Sequence, residues 1–182
     1  MQSTALPQPA PPEPSGAVDR TIPPEYDLSY RDAFWRARDY EDRSDRLALQ
    51  ALLPPSGEDL LDLGAGFGRL ADEFGGYRRV TLVDASPAML TAAAERLGGD
   101  PRIRLIRADA TALPFPDDSF DTIVAIRLLV HLRDPRPVFD EVRRLLRPGG
   151  TFIVGPFYLS PSVYFRTKRD DRTTIRNGRP GG

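Results

Sequence analysis

The sequence predicts an α/β fold built on a doubly wound, mostly parallel sheet. Three observations point to it. Between residues 59 and 155, short apolar runs alternate with helical stretches, the pattern of a parallel sheet with right-handed crossovers. The first run, Leu60-Leu61-Asp62-Leu63, leads into Gly64-Ala65-Gly66-Phe67-Gly68, which reads as a strand, a tight turn and a helix N-terminus. The second run ends on a carboxylate, Asp84.

In chain order, residues 1–25 come first. Seven of the 19 prolines fall here among Gln, Ala, Ser and Glu, and so few apolar side chains cannot offset the entropy of ordering. The reading is a disordered tail. It lacks the basic start and apolar block of a secretory signal, so the sequence predicts a cytoplasmic protein. Residues 26–57 mix aromatics and charges (Tyr26, Tyr30, Phe34, Trp35, Tyr40), then Leu47, Leu49, Leu52 and Leu53 follow. One or two helices covering an end of the sheet fit this pattern, and Pro54-Pro55-Ser56-Gly57 stops them.

Strands are expected at 59–63, 79–83, 102–106, 121–126 and 151–154. They are short and rich in Leu, Ile and Val, as strands buried on both faces are. Ser86-Pro87 opens a helix, with Ser as cap and Pro at the first helical position; Gly98-Gly99 closes it. Leu90, Ala93, Ala94 and Leu97 would form its apolar face. Asp134-Pro135 opens another, with Val138, Val142, Leu145 and Leu146 inward, and Pro148-Gly149-Gly150 ends it. Residues 157–165 read as a short helix or strand. Six basic and two acidic side chains dominate 166–182.

Composition narrows the function. The 182 residues contain no cysteine and one histidine, His131, which excludes thiolate chemistry and multi-histidine metal centres. No apolar run approaches the ~18 residues of a membrane helix. A net charge of −1 gives no reason to expect nucleic-acid binding.

Glycines at 64 and 66 allow a sharp turn and close approach of a ligand. The dinucleotide fingerprint needs a third glycine where Arg69 stands, and there it serves a helix that meets a pyrophosphate. A cofactor without phosphates has no such need. Asp84 lies where an acidic residue can accept from both ribose hydroxyls of an adenosine. Asp109, after the third strand, could accept from an adenine amino group. For each, a bland alternative stands: an ordinary turn, a helix-dipole aspartate, a solvated loop aspartate.

Five motifs occur in order: "LLDLGAGFG", "LVDASPAML", "RADATALPFPDDSFD", "DTIVAIRLLVHL" and "LLRPGGTF". Together, over residues 58–155, they resemble the class I S-adenosylmethionine-dependent methyltransferases, in particular the small-molecule group called methyltransferase type 11. The resemblance implies a Rossmann-like sheet of strand order 3-2-1-4-5 and S-adenosylmethionine as cofactor. It places Gly64, Ala65 and Gly66 along the methionine and ribose end, with Asp62 beneath them. It puts Asp84 on the ribose, Ala85 and Met89 near the adenine, and Asp109 and Ala110 on its other side. Arg127 stands where this group commonly has a small or amide residue near the transfer channel, so it could pair with a carboxylate or be a strand end. His131 is a candidate base, or a histidine hydrogen-bonded at the end of strand four. Tyr30, Trp35, Arg38 and Tyr40 are lid candidates, or core of an extra helix.

The implied function is methyl transfer to a small-molecule acceptor, with no metal, nucleic acid or membrane involved and the oligomeric state open. The resemblance also implies strands six and seven, but 156–182 do not read that way. The expectation is a sheet ending at strand five, in a truncated chain or one completed by a partner. One alternative is therefore a truncated cofactor-binding module without independent activity. Another is an NAD-binding oxidoreductase, against which Arg69 and "RADA" argue.

Overall fold

The computed structural model describes Trp35, residues 38–155 and residues 165–168. The expected tail at 1–25, the lid candidate Tyr30 and most of the basic C-terminal segment lie outside the described residues.

A helix, α1 (Asp39–Leu52), precedes the sheet. Then follow β1 (Gly57–Leu63), β2 (Tyr77–Asp84), α2 (Pro87–Leu97) and β3 (Ile103–Arg107). The chain continues through β4 (Phe120–Ile126), α3 (Arg136–Leu145), β5 (Leu146–Gly155) and β6 (Phe165–Lys168). The sheet order is β3-β2-β1-β4-β5-β6. The first five strands are all parallel, in the expected 3-2-1-4-5 order.

The sheet does not end at β5. β6 pairs antiparallel with it, Phe152 opposite Thr167 and Val154 opposite Phe165. A further strand therefore covers the edge that the sequence left bare.

Alternate residues of the buried strands feed two cores on opposite faces. Leu61, Leu63, Ile123, Ala125, Phe152 and Val154 meet Val138, Val142 and Leu145 of α3. Leu60, Leu82, Val124, Ile126 and Ile153 pack with Leu49 of α1 and with Phe74. Ser86 caps α2 as expected, its Oγ accepting from Met89 N at 3.4 Å, and Gly98 ends it in the left-handed conformation.

Two expectations need correction. The glycine turn does not open an α-helix: turns and a four-residue 3₁₀ helix, Ala71–Phe74, lead into β2. Only six residues separate Gly68 from Gly75, too few for a stable α-helix. Ala94 is exposed, and α2 instead buries Met89, Ala92 and Ala93. In α1, Leu49 is fully buried whereas Leu47 and Tyr40 face outward. No described helix is long and apolar enough to cross a membrane.

Candidate functional site

β1 lies at the centre of the sheet, between β2 and β4. The winding reverses there, and doubly wound folds bind ligands outside the carboxyl ends of strands at this point. Gly64–Gly68 leaves β1 at that place. Gly64, Gly66 and Gly68 have φ of +71°, +56° and +71°, a region that L side chains rarely adopt. Their surroundings differ. A Cβ on Gly64 would lie 3.0 Å from Leu128 Cδ1, but one on Gly66 would meet nothing within 4 Å. Among the described residues Gly66 faces open space, where a ligand can reach the backbone.

Two carboxyls flank the loop. Asp84 Oδ2 accepts from Gly66 N and its Oδ1 from Ser86 N, both at 2.8 Å. Gly64 N and Ala65 N donate to Val83 O at 2.9 and 3.0 Å. The end of β2 thus holds the loop by backbone and side chain together. Burial raises the pKa of Asp84, opposed by backbone N–H donors.

Asp62 is 3% exposed. Alternation along β1 sets it on the α1 face with Leu60, opposite Leu61 and Leu63. No hydrogen bond to its carboxyl comes from the described residues. Burial pushes its pKa up to about 7; Arg69 opposes this and Asp84 adds to it. A buried polar group without a partner is uncommon and calls for an explanation.

The other expected residues divide. Ala85 follows Asp84, and Met89 is buried on the first turn of α2. Asp109 is exposed at the end of β3, where its Oδ1 accepts from Thr111 N at 2.8 Å and Thr111 Oγ1 at 2.7 Å. Ala110, half-buried, packs on the α3-side core. His131 closes a 3₁₀ turn, Leu129–His131, and partial burial lowers its pKa.

Arg127 leaves β4 with φ +61°. Its Nε donates to Asp45 Oδ2 at 2.7 Å and its Nη2 to Oδ1 at 3.2 Å. The same carboxylate accepts from Arg69. Asp45 is 1% exposed, and the Trp35 ring lies over the Arg69 guanidinium, 4.0 Å from centroid to Cζ. Sequence reading missed Asp45. The signal was its place four residues before Leu49, a carboxylate on the apolar face of α1.

The profile of the "Methyltransferase domain" family matches residues 61–154, which includes the glycine loop and every strand from β2 to β5 apart from the last residue of β5. A demethylmenaquinone methyltransferase of Clavibacter sepedonicus is 39% identical over 122 residues, 66% of this chain and 50% of its own. A Haloferax volcanii methyltransferase, solved with the Trm112 methyltransferase activator, superposes with TM-score 0.63 at 28% identity. That match covers 71% of this chain and 59% of the other. A Haemonchus contortus phosphoethanolamine N-methyltransferase, solved with phosphomonomethylethanolamine and S-adenosylhomocysteine, gives TM-score 0.55 at 33% identity. It covers 60% of this chain and 27% of the other. The chain spans about half the length, or less, of the curated relatives it matches. With its strand order, its glycine loop and this profile match, the chain belongs to the class I S-adenosylmethionine-dependent methyltransferases.

Proposed function

We propose that the chain binds S-adenosylmethionine at the carboxyl ends of β1, β2 and β3 and takes part in methyl transfer to a small-molecule acceptor. The observation that carries this reading is Asp62, a buried carboxyl with no hydrogen-bond donor among the described residues, on the strand that runs into a glycine loop open at Gly66. An acceptor left open in this way suits a ligand with a cationic end. The protein supplies an acceptor without a donor, and the ligand supplies the donor.

In this reading Asp62 is the counter-ion for the ammonium of the methionine end, and Gly64, Ala65 and Gly66 line it. Asp84 accepts from the ribose hydroxyls. Ala85 and Met89 flank the adenine, with Asp109 and Ala110 on its far side. Arg127 stands near the methyl-transfer channel, its guanidinium paired with Asp45. The domain reading is a cofactor core at 58–155, preceded by a cap expected at 26–57, of which the described residues are Trp35 and 38–57.

When bound, the cofactor supplies a methyl group already activated on a sulfonium. The chain's residues need only hold the two reactants in line and exclude water. A base matters only for an acceptor that must lose a proton. His131 is the candidate: partial burial lowers its pKa, which favours the neutral form a base needs. The names of the relatives are consistent with small acceptors, a quinone precursor in one and a phosphoethanolamine in another.

The test is transfer of labelled methyl from S-adenosylmethionine to a panel of small hydroxyl, amine and carbon acceptors. Label in an acceptor product supports the reading. A folded protein that binds the cofactor yet labels nothing across the panel favours a cofactor-binding module that needs further chain.

A further inference from the structure

We propose that Asp45 is a positioning residue of the methyl-transfer site: by holding Arg69 and Arg127 on one carboxylate, it fixes the glycine loop against the end of β4. This rests on the cofactor reading above.

Three elements meet at Asp45. Arg69 follows Gly68 and so marks the exit of the glycine loop. Arg127 marks the carboxyl end of β4, and Asp45 itself belongs to α1. The loop cannot fix its own position, because three of its five residues are left-handed glycines without side chains to pack. β1 and the Val83 and Asp84 acceptors of β2 hold the loop as far as Gly66, and what holds Arg69 sets where it ends. α1 holds that residue at three points. Asp45 takes its guanidinium, Asp42 Oδ1 takes its Nη1 at 2.8 Å, and Arg46 Nη2 donates to its carbonyl at 2.6 Å.

Arg127 needs holding as well. A left-handed backbone is uncommon for a bulky residue and persists where its surroundings impose it. Arg127 N donates to Gly155 O at 3.2 Å, and its guanidinium grips Asp45 through two nitrogens. β1 and β4 are the strands whose ends part at the switch point, so Asp45 braces the site across its opening.

Stability alone is a weak reason for such a cluster. Taking ions out of water costs about as much as their attraction returns, and well-packed apolar side chains often do as well. What an ion cluster adds is fixed geometry. Trp35 completes it, its ring 4.0 Å from the Arg69 Cζ and 5.6 Å from that of Arg127.

Trp35 is the chain's single tryptophan, so its emission reports on the brace. The experiment measures three things on the full chain: thermal unfolding, Trp35 emission, and calorimetric affinity for S-adenosylhomocysteine. Asp45→Asn is expected to unfold cooperatively, to shift Trp35 emission to the red, and to weaken the ligand by about tenfold. Arg127→Gln added to Asp45→Asn should weaken it little further, since residues that act through each other are not additive. A folded Asp45→Asn with wild-type affinity overturns the proposal, as do two effects that add in full. Should Asp45→Asn not fold, Arg127→Gln decides: red-shifted emission with weaker binding supports the brace, and unchanged emission overturns it. If the wild-type protein binds no S-adenosylhomocysteine, the cofactor reading has failed. The brace is then judged by emission alone, red-shifted in Asp45→Asn if it stands and unchanged if it does not.

Discussion

The Asp84 carboxylate ties Gly66 to the start of α2. One oxygen receives the Gly66 N–H at 2.8 Å, the other the Ser86 N–H at 2.8 Å. Two strand ends and a helix start therefore share one side chain. Asp84→Ala removes both acceptors and leaves two half-buried N–H groups without them, which costs about 1–3 kcal/mol each at most. A fall in melting temperature is expected with the variant still folded at 25 °C, as read by circular dichroism.

The titration of Asp62 sets a second expectation. Its folded pKa is about 7, above the unfolded carboxylate value, so between about pH 4 and pH 7 the folded chain holds a proton that the unfolded chain has released. Stability from this group is complete below the unfolded pKa and is lost as pH rises through the folded one. Asp42, Asp59 and Asp121 have lowered pKa values and act the opposite way. Their contribution is lost only as pH falls below the usual carboxylate range. Asp62→Asn should come nearest the wild type at or below pH 4 and become the more stable of the two by pH 8. Melting curves across that range that run parallel for the two proteins would rule this out.

The two site glycines separate strain from access. Alanine at Gly64 carries a left-handed φ and meets Leu128 at 3.0 Å; alanine at Gly66 carries the strain alone. Each should lose about 1–2 kcal/mol of stability to the backbone. Gly66→Ala is expected to add a disproportionate loss of S-adenosylhomocysteine affinity, because its methyl enters the space that the ligand uses. Comparing denaturant midpoints with calorimetric affinities for the two variants checks the split. Equal affinity losses would contradict it.

The opposite end of the sheet offers a control. Asp121 Oδ2 accepts from Glu58 N and Asp59 N, both at 2.8 Å, and Oδ1 accepts from Arg147 at 2.6 Å. Asp121→Ala should lower stability by about 1–3 kcal/mol while affinity for the cofactor product stays within about twofold, as expected of distant sites. Denaturation and titration of the same sample test both halves.

Much of this was legible in the sequence, for local reasons. Parallel strands buried on both faces read as apolar runs, so β1, β2, β4 and β5 stood out, and the half-buried edge strand β3 showed through its Ile and Leu residues. Ser86-Pro87 and Gly98 punctuate α2 by cap chemistry that needs no tertiary context. What escaped was set by distance or by lack of contrast. Ala92, Ala93 and Ala94 are chemically identical, so composition gave no contrast to set the buried face of α2, which fell off register. β6 is four residues whose partner supplies its register. The Arg127–Asp45 pair joins residues 82 apart, and nothing local to either announces it. Asp62 was visible as a motif residue, but its missing donor belongs to the packed site.

The most direct measurement is a calorimetric titration of the folded chain with S-adenosylmethionine, with NAD as control, repeated on Asp84→Ala. Saturable binding of S-adenosylmethionine, no response to NAD, and loss of binding in the variant are predicted. A folded wild-type chain that takes up no S-adenosylmethionine would contradict the assignment of this site.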